Sequence, residues 1–519
     1  MERLYLNVFL LKKGVRADDA ISLKGLTQSF EVPLEDGNVA TLRYGHTAGA
    51  PEWFERLAAS SPSPPKSLPS ASSISGILVA EVDQSLFAVA FGHGWQRVRR
   101  ALVEPNFGLR CVLNLAERNK LKSIRRDRIA DDFVQAIEQV PDADDIYRFD
   151  IDTDKDLLTG VSARVNESLD FGLNVSGADS FKASIDLSRE SIGSFLRRCE
   201  LLYRQSSYQK RFPWVDNIRP VRDEKLAATL AEELAKLVIA GSSDLALCIP
   251  DLIAWDEYDL FTYQVRRGRR SPVAYELSPA AWKAYAVGQG VIIDASALRT
   301  SSVYAYKQAN SQLQKKWSVL ECLHGSVVHN GVNYLAHGGK WFELDKGFVS
   351  EIDKKIRSIA ISSVALPKLA SLTETEGVYN DRAAASSGGK IFKLDKNHGG
   401  GKSRIEVCDL LLDSGEMVCV KPWGGNSASL SHLFQQAQVA AKLISEDDGF
   451  NAKVKVILPA THHTTWDSIS VKGGAPKIVL AVLRGPSPDK LPFFARISLA
   501  MCVASLRQMR FEPSYLRIS

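Results

Sequence analysis

No stretch of the chain reaches the roughly 18 consecutive apolar residues that a membrane-spanning helix needs, so a soluble, cytoplasmic protein without a membrane partner is expected. The opening MERLYLNVFLLKKG has only a short apolar run before Lys12 and Lys13 and no small-residue cleavage site, which argues against a secretory signal. Cysteine is sparse and scattered: seven residues stand singly at 111, 199, 248, 322, 408, 419 and 502, with no C-x-x-C. An odd, unclustered set excludes a disulfide framework or a zinc ribbon legible from spacing and suits reduced, buried thiols. No internal repeat is evident, which excludes a solenoid.

The rest is ordinary for a globular protein, with 45% apolar and 24% charged residues. At 519 residues the chain exceeds one core of usual size, so two to four domains are expected. A net charge of +5 permits nucleic-acid binding without demanding it, and its distribution says more. Candidate phosphate-binding residues are Arg97, Arg99 and Arg100, and Arg266, Arg267, Arg269 and Arg270 around Gly268. Lys120, Lys122, Arg125, Arg126 and Arg128 form a further basic cluster; solvated surface explains most such runs, and the 266–270 group is the least bland, since Gly268 gives close backbone approach to a phosphate.

Composition and periodicity divide the chain into a β-rich segment 1–58, a Ser/Pro linker or loop 59–73, α+β domains 74–240 and 241–370, and a C-terminal domain 371–519. Strands are expected at 3–10, 28–34 and 38–45, and as a hairpin of GILVAEV and SLFAVAFG around Asp83-Gln84. FGLRCVLNL at 107–115 reads as a strand, 127–139 as a polar helix, 227–240 as an amphipathic helix and 304–323 as a helix.

The stretch from Arg404 to Ile444 carries the clearest chemistry. An apolar run holding Asp409, a turn at Asp413-Ser-Gly-Glu416, a second run Met417–Val420 ending in Lys421, and an apolar helical stripe through Leu430, Leu433, Phe434 and Leu443 read as strand, turn, strand, helix. Alternation along the second strand puts Cys419 and Lys421 on one face and Val418 and Val420 on the other.

This order resembles the core of the PD-(D/E)XK restriction-endonuclease-like nucleases. The resemblance implies a C-terminal α/β module with a mixed sheet, in which Asp409 holds Mg²⁺ (or Mn²⁺) and Lys421 orients a water for attack on a phosphodiester. Gln435 and Gln438 would match the glutamine that some members carry on the next helix. A further carboxylate would come from the segment before the core strands, where Glu374, Glu376 and Asp381 stand and Glu376 is the chosen second ligand. Cys419 departs from the pattern, since the family places an acid there and a soft thiol is a poor Mg²⁺ ligand.

Over its full length, the succession FAVAFGHG, NFGLRCVLN, GKWFELD, the Asp409–Lys421 unit and LPFFARISL resembles a bacterial family of sporadic, mobile-element-like distribution and long-unknown function. That resemblance implies an antiviral defence or restriction role. In its pattern a histidine often stands where Cys419 does, so the missing acid is a habit of the family.

Other motifs are weaker. Gly399-Gly-Gly-Lys402 precedes a strand and lacks the Walker spacing. His462-His463 reads as a surface loop, and His324, His329 and His337 are too irregularly spaced for a zinc set. His93, between two glycines at a strand end, is a candidate exposed imidazole. The expectation is an α+β multidomain protein that binds nucleic acid, DNA before RNA. Two readings of its action stay open, a metal-dependent endonuclease and a non-catalytic defence factor on a degenerate nuclease-like scaffold. Self-association is open as well.

Overall fold

Ten strands in the first part of the chain pair into one sheet: β1 Leu4–Leu10, β2 Gln28–Pro33, β3 Val39–Gly49, β4 Ala71–Val82, β5 Ser85–Phe91, β6 Leu121–Arg128, β7 Val134–Asp144, β8 Asp156–Arg164, β9 Asn174–Gly177 and β10 Ser180–Ile185. Their order is β2-β3-β4-β5-β1-β10-β9-β8-β6-β7. The computed structural model describes all residues except 1–2, 36, 50–70, 118, 130–133, 188, 243, 252, 254–257, 259, 308–309, 395–405, 425–426 and 472–473. The chain divides into two units, Met1–Asp127 with Gln135–Asp216, and Arg128–Val134 with Asn217–Ser519. The expected Ser/Pro linker lies largely outside the described residues, and Ala71–Ser73 already belong to β4.

The β4–β5 hairpin forms as its sequence predicts, with Asp83 (φ 48°) and Gln84 (φ 66°) both left-handed in the connection. Such a two-residue turn matches the right-handed twist of the strands. Two elements differ from expectation. Phe107–Leu115 is a helix, α1, and 134–144 is the strand β7. The α1 sequence misleads because Phe107, Leu109, Cys111, Val112 and Leu113 are all buried, and only Arg110 and Asn114, one helical turn apart, mark its polar side. Together with α2 (Ile192–Arg204) it packs a core with Leu6, Val8, Phe181 and Ala183. Two glycines permit this closeness: a Cβ on Gly108 would lie 1.9 Å from the Ser180 carbonyl oxygen, and one on Gly177 2.0 Å from that of Gly108. Asn114 ties the layer together, donating to the Leu202 and Gln205 carbonyls and accepting from Ser207 and the Tyr208 amide.

The second unit holds three further sheets, built from β11 Ile218–Pro220, β12 Ala246–Leu247, β13 Leu260–Gln264, β14 Ser302–Lys307, β15 Asn310–Ser318, β16 Leu323–His329, β17 Val332–His337, β18 Lys340–Leu344, β19 Ala360–Ile361, β20 Ile391–Lys393, β21 Leu410–Leu412, β22 Glu416–Pro422, β23 Lys477–Leu483 and β24 Glu512–Ile518. The expected helix at 304–323 is instead the antiparallel pair β14–β15 and one short helical turn. Apolar Val303, Ala305 and Trp317 alternate there with Tyr304, Tyr306 and Lys316, which is the period of a half-buried strand. The helix Glu224–Ala240 (α3) forms as read, capped by Asp223, whose carboxylate accepts from the Lys225 and Leu226 amides.

Near the C-terminus the sheet is mixed, in the order β19-β24-β23-β22-β21-β20. Strands β20, β21 and β22 form an antiparallel meander, and β22, β23, β24 and β19 run parallel. Parallel neighbours need crossover connections, here made by α5 (Ser427–Glu446) between β22 and β23 and α6 (Phe493–Gln508) between β23 and β24. A preceding helix, α4 (Glu376–Ala385), buries Tyr379 and Ala383 against Val418, Val420, Val479 and Ala481. Each such buried aliphatic side chain contributes about 1.5–3 kcal/mol relative to exposure. The architecture is thus mixed α+β with several sheets, and no helix among the described residues is long and apolar enough to cross a membrane.

Candidate functional site

The hairpin that carries Asp409 and Lys421 forms as its sequence predicts, but its polar groups turn to different partners. Asp409 stands just ahead of β21 and is 1% exposed. Its Oδ2 accepts from the Val420 amide at 2.7 Å, while its own amide donates to the Val418 carbonyl. It ties together the open end of the β21–β22 hairpin, away from the turn at 413–415. Cys419 lies beside it, fully covered, and burial pushes its thiol well up, with the nearby Asp409 charge adding to the effect. A neutral buried thiol is inert as a ligand or nucleophile.

Lys421 ends the strand, half-buried, with its Nζ 3.0 Å from Glu376 Oε2. Sequence assigns Glu376 to a metal and Lys421 to the attacking water, and the structure joins the two as an ion pair. Strand parity assigns Lys421 to the face opposite α4, but its long stem at the strand end reaches the first turn of that helix. The other acids ahead of the core strands are paired too. Glu374 receives a bidentate contact from Arg382, at 2.8 and 2.9 Å, and the Ala370 amide at 2.8 Å. The guanidinium holds its carboxyl below the usual range. Asp381 accepts from Lys393 at 2.5 Å. Gln435 is exposed on α5, and it is Gln436 that turns inward, donating to Glu406 at 3.3 Å.

This donor set does not fit the Mg²⁺ or Mn²⁺ that the resemblance implied. A hard cation wants several free oxygen ligands, whereas Asp409 accepts from the Val420 amide and Glu374, Glu376 and Asp381 each face a cation. Among the described residues no three His, Cys, Asp or Glu side chains gather as a metal site.

The second candidate lies in the turn after β13. Arg266 and Arg269 bridge across Gly268, whose φ of +83° requires glycine, and all four arginines are exposed. Arg266 donates to the Gly290 carbonyl at 3.0 Å. Arg270 lies 4.0 Å over the Tyr304 ring, and Lys316 approaches the same ring at 5.6 Å. Reading 304–323 as a helix hid Tyr304 and Lys316, although the alternation about Val303 and Ala305 could have found them.

Arg97, Arg99 and Arg100 occupy the turns that follow β5; Arg99 and Arg100 are exposed and Arg97 half-buried. His93 is exposed there. The glycines flanking it serve packing: a Cβ on Gly94 would lie 2.2 Å from the Gly76 carbonyl oxygen. Of the remaining histidines, His462 is buried rather than on a surface loop. His324 and His337 meet at 3.3 Å in the core, while His329 pairs with Asn330. The Gly399–Lys402 loop and Asn426 lie outside the described residues.

The profile of a family described as of unknown function, DUF6119, matches residues 6–519. The chain belongs to DUF6119. The full-length resemblance read from its motifs thus has a family behind it, and DUF6119 as described assigns no chemistry to Asp409 or Lys421. No curated protein and no solved structure matches the chain.

Proposed function

We propose that this protein is a nucleic-acid-binding factor whose C-terminal sheet is a nuclease-like scaffold without metal-dependent cleavage. The observation that carries the reading is the 266–270 turn, which displays four exposed arginines beside Tyr304 and Lys316. Arginines clustered on one face neutralise phosphates, and an aromatic ring with cations above it offers a surface to bases. Support for the scaffold is the helix–strand–strand–strand–helix order from α4 to α5, with Glu376 placed against Lys421. The defence role rests on the motif succession alone.

The test is fluorescence anisotropy of the intact chain with labelled single-stranded DNA, duplex DNA and RNA, each with and without Mg²⁺, beside a cleavage assay. Binding that weakens as salt rises, and that drops about tenfold in Arg267→Ala/Arg269→Ala, supports the reading. Mg²⁺-dependent cleavage abolished by Lys421→Ala would sink the non-catalytic half of it. Binding unchanged by the arginine variant would sink the other half.

A further inference from the structure

The first unit holds a cleft of about 520 Å³ across β1, β10, β9, β8 and β6, on the sheet face opposite α1. Its size falls within the roughly 300–1,000 Å³ of small-molecule sites. The floor is a cross-strand row set by register, in which Asn7 pairs with Lys182, Lys182 with Ser176, and Ser176 with Ser162. Strand alternation explains it. Leu6, Val8, Phe181 and Ala183 face the core, so their neighbours Asn7 and Lys182 face the cleft.

Three features of this face point to an anionic ligand with an aromatic part. First, Arg100, Arg125 and Lys182 all line it, and the single acid that lines it, Asp179, accepts from the Asn106 amide at 3.0 Å. Secondly, polar atoms in it are covered yet unmatched. Arg125 Nε and Asn7 Oδ1 are buried without a hydrogen-bond partner among the described residues. Such orphans cost about 1–3 kcal/mol each when left unmade, so a ligand that pairs them gains. Thirdly, Trp95 stands at the wall, 39% exposed, on the turn that the FGHG glycines press against β4. Gly160 leaves room beneath the arginine stem, since a Cβ there would lie 3.3 Å from Arg125 Cβ.

We infer that this cleft binds a nucleotide unit, with the phosphate held by Arg125 and Lys182 and the base against Trp95. A guanidinium and an ammonium on one face suit phosphate oxygens, and indole stacking accepts any base. The inference stands on the first unit alone and does not depend on the arginine turn of the second. The unit can be free or part of a strand, and two probes separate these sources.

The experiment is equilibrium titration of the full chain carrying Arg267→Ala/Arg269→Ala, so that the turn contributes little. The probes are a labelled adenosine triphosphate and a labelled oligo-dT of ten nucleotides, at low salt. Saturable binding of either probe is expected. Lys182→Glu should weaken it about tenfold or more and Trp95→Ala about tenfold. Both sites are open to solvent, and a circular-dichroism melt within a few degrees of the parent confirms that each variant folds. If neither probe binds, or if both variants leave binding within twofold, the inference is overturned.

Discussion

The C-terminal sheet and the cleft of the first unit are both rich in charged and polar side chains, but they place their charges differently. In the sheet, every acid that the sequence offered as a ligand has a partner inside the protein: Asp409 the Val420 amide, Glu374 Arg382, Glu376 Lys421 and Asp381 Lys393. In the cleft, Arg100, Arg125 and Lys182 gather with one acid, Asp179, and Arg125 Nε and Asn7 Oδ1 are buried without a partner among the described residues. Satisfied polar groups specify a fold, whereas unsatisfied ones hold interaction energy in reserve for a ligand. The more motif-like region is therefore the more structural one. Substitutions in the sheet should read out in stability, and substitutions in the cleft in binding.

The largest effect expected is at Arg382. Its side chain, 33% exposed, meets both oxygens of Glu374, whose side chain is 2% exposed, and removing it leaves a covered carboxylate without its cation. Arg382→Ala should cost about 3 kcal/mol, read as a lower midpoint in urea unfolding. Asp409→Ala comes next, at about 2–3 kcal/mol, since it orphans the buried Val420 amide. Asp409→Asn should recover most of that loss, because an amide oxygen can accept the same bond. If Asp409→Ala unfolded at the parental midpoint, the structural assignment of this carboxylate would be wrong.

Acid should act on the same unit. Burial, and then the neighbouring His337, push His324 down from 6.5 to about 3, and its rings contact His337 and Phe494. A histidine depressed in the folded state takes up its proton on unfolding. The stability it permits is full above about pH 6.5 and is lost as pH falls towards 3. Glu374, held low by Arg382, adds a loss in the same direction at the acid end. The urea midpoint should therefore fall between about pH 6.5 and 3, and His324→Gln should flatten that slope. An unchanged slope would mean that His324 does not stay neutral in the folded protein.

How much of this was legible follows from what each residue had to reveal. The β4–β5 and β21–β22 hairpins were legible because turn chemistry and apolar runs agreed within a few residues. The helix 107–115 was not, because only Arg110 and Asn114 mark its polar side among mostly buried residues. The strands β14 and β15 carry the alternation of half-buried strands in Val303, Ala305 and Trp317, in a segment expected to be helical. At the site, sequence brought Glu376 and Lys421 to the same place without showing that they neutralise each other. The cleft was not legible at all. Asn7, Trp95, Arg125 and Lys182 are far apart in the chain, and only the β1-β10-β9-β8 register brings the row together.

The smallest effect expected is at Lys421, and it is the sharpest discriminator between a scaffold and a catalyst. Its contact with Glu376 is half-exposed, at 32% and 25% for the two side chains, so solvent screens it. Lys421→Ala should change stability by no more than about 1 kcal/mol. Glu376→Gln should do the same, and the double variant should lose no more than the sum of the two, since a screened pair couples weakly. A catalytic lysine would behave differently, leaving stability alone and removing an activity by orders of magnitude. Measured side by side, a small change in the unfolding midpoint with unaltered nucleic-acid binding identifies the pair as a clasp between α4 and the end of β22. A midpoint shift above about 2 kcal/mol would mean instead that the contact is far less screened than its exposure implies.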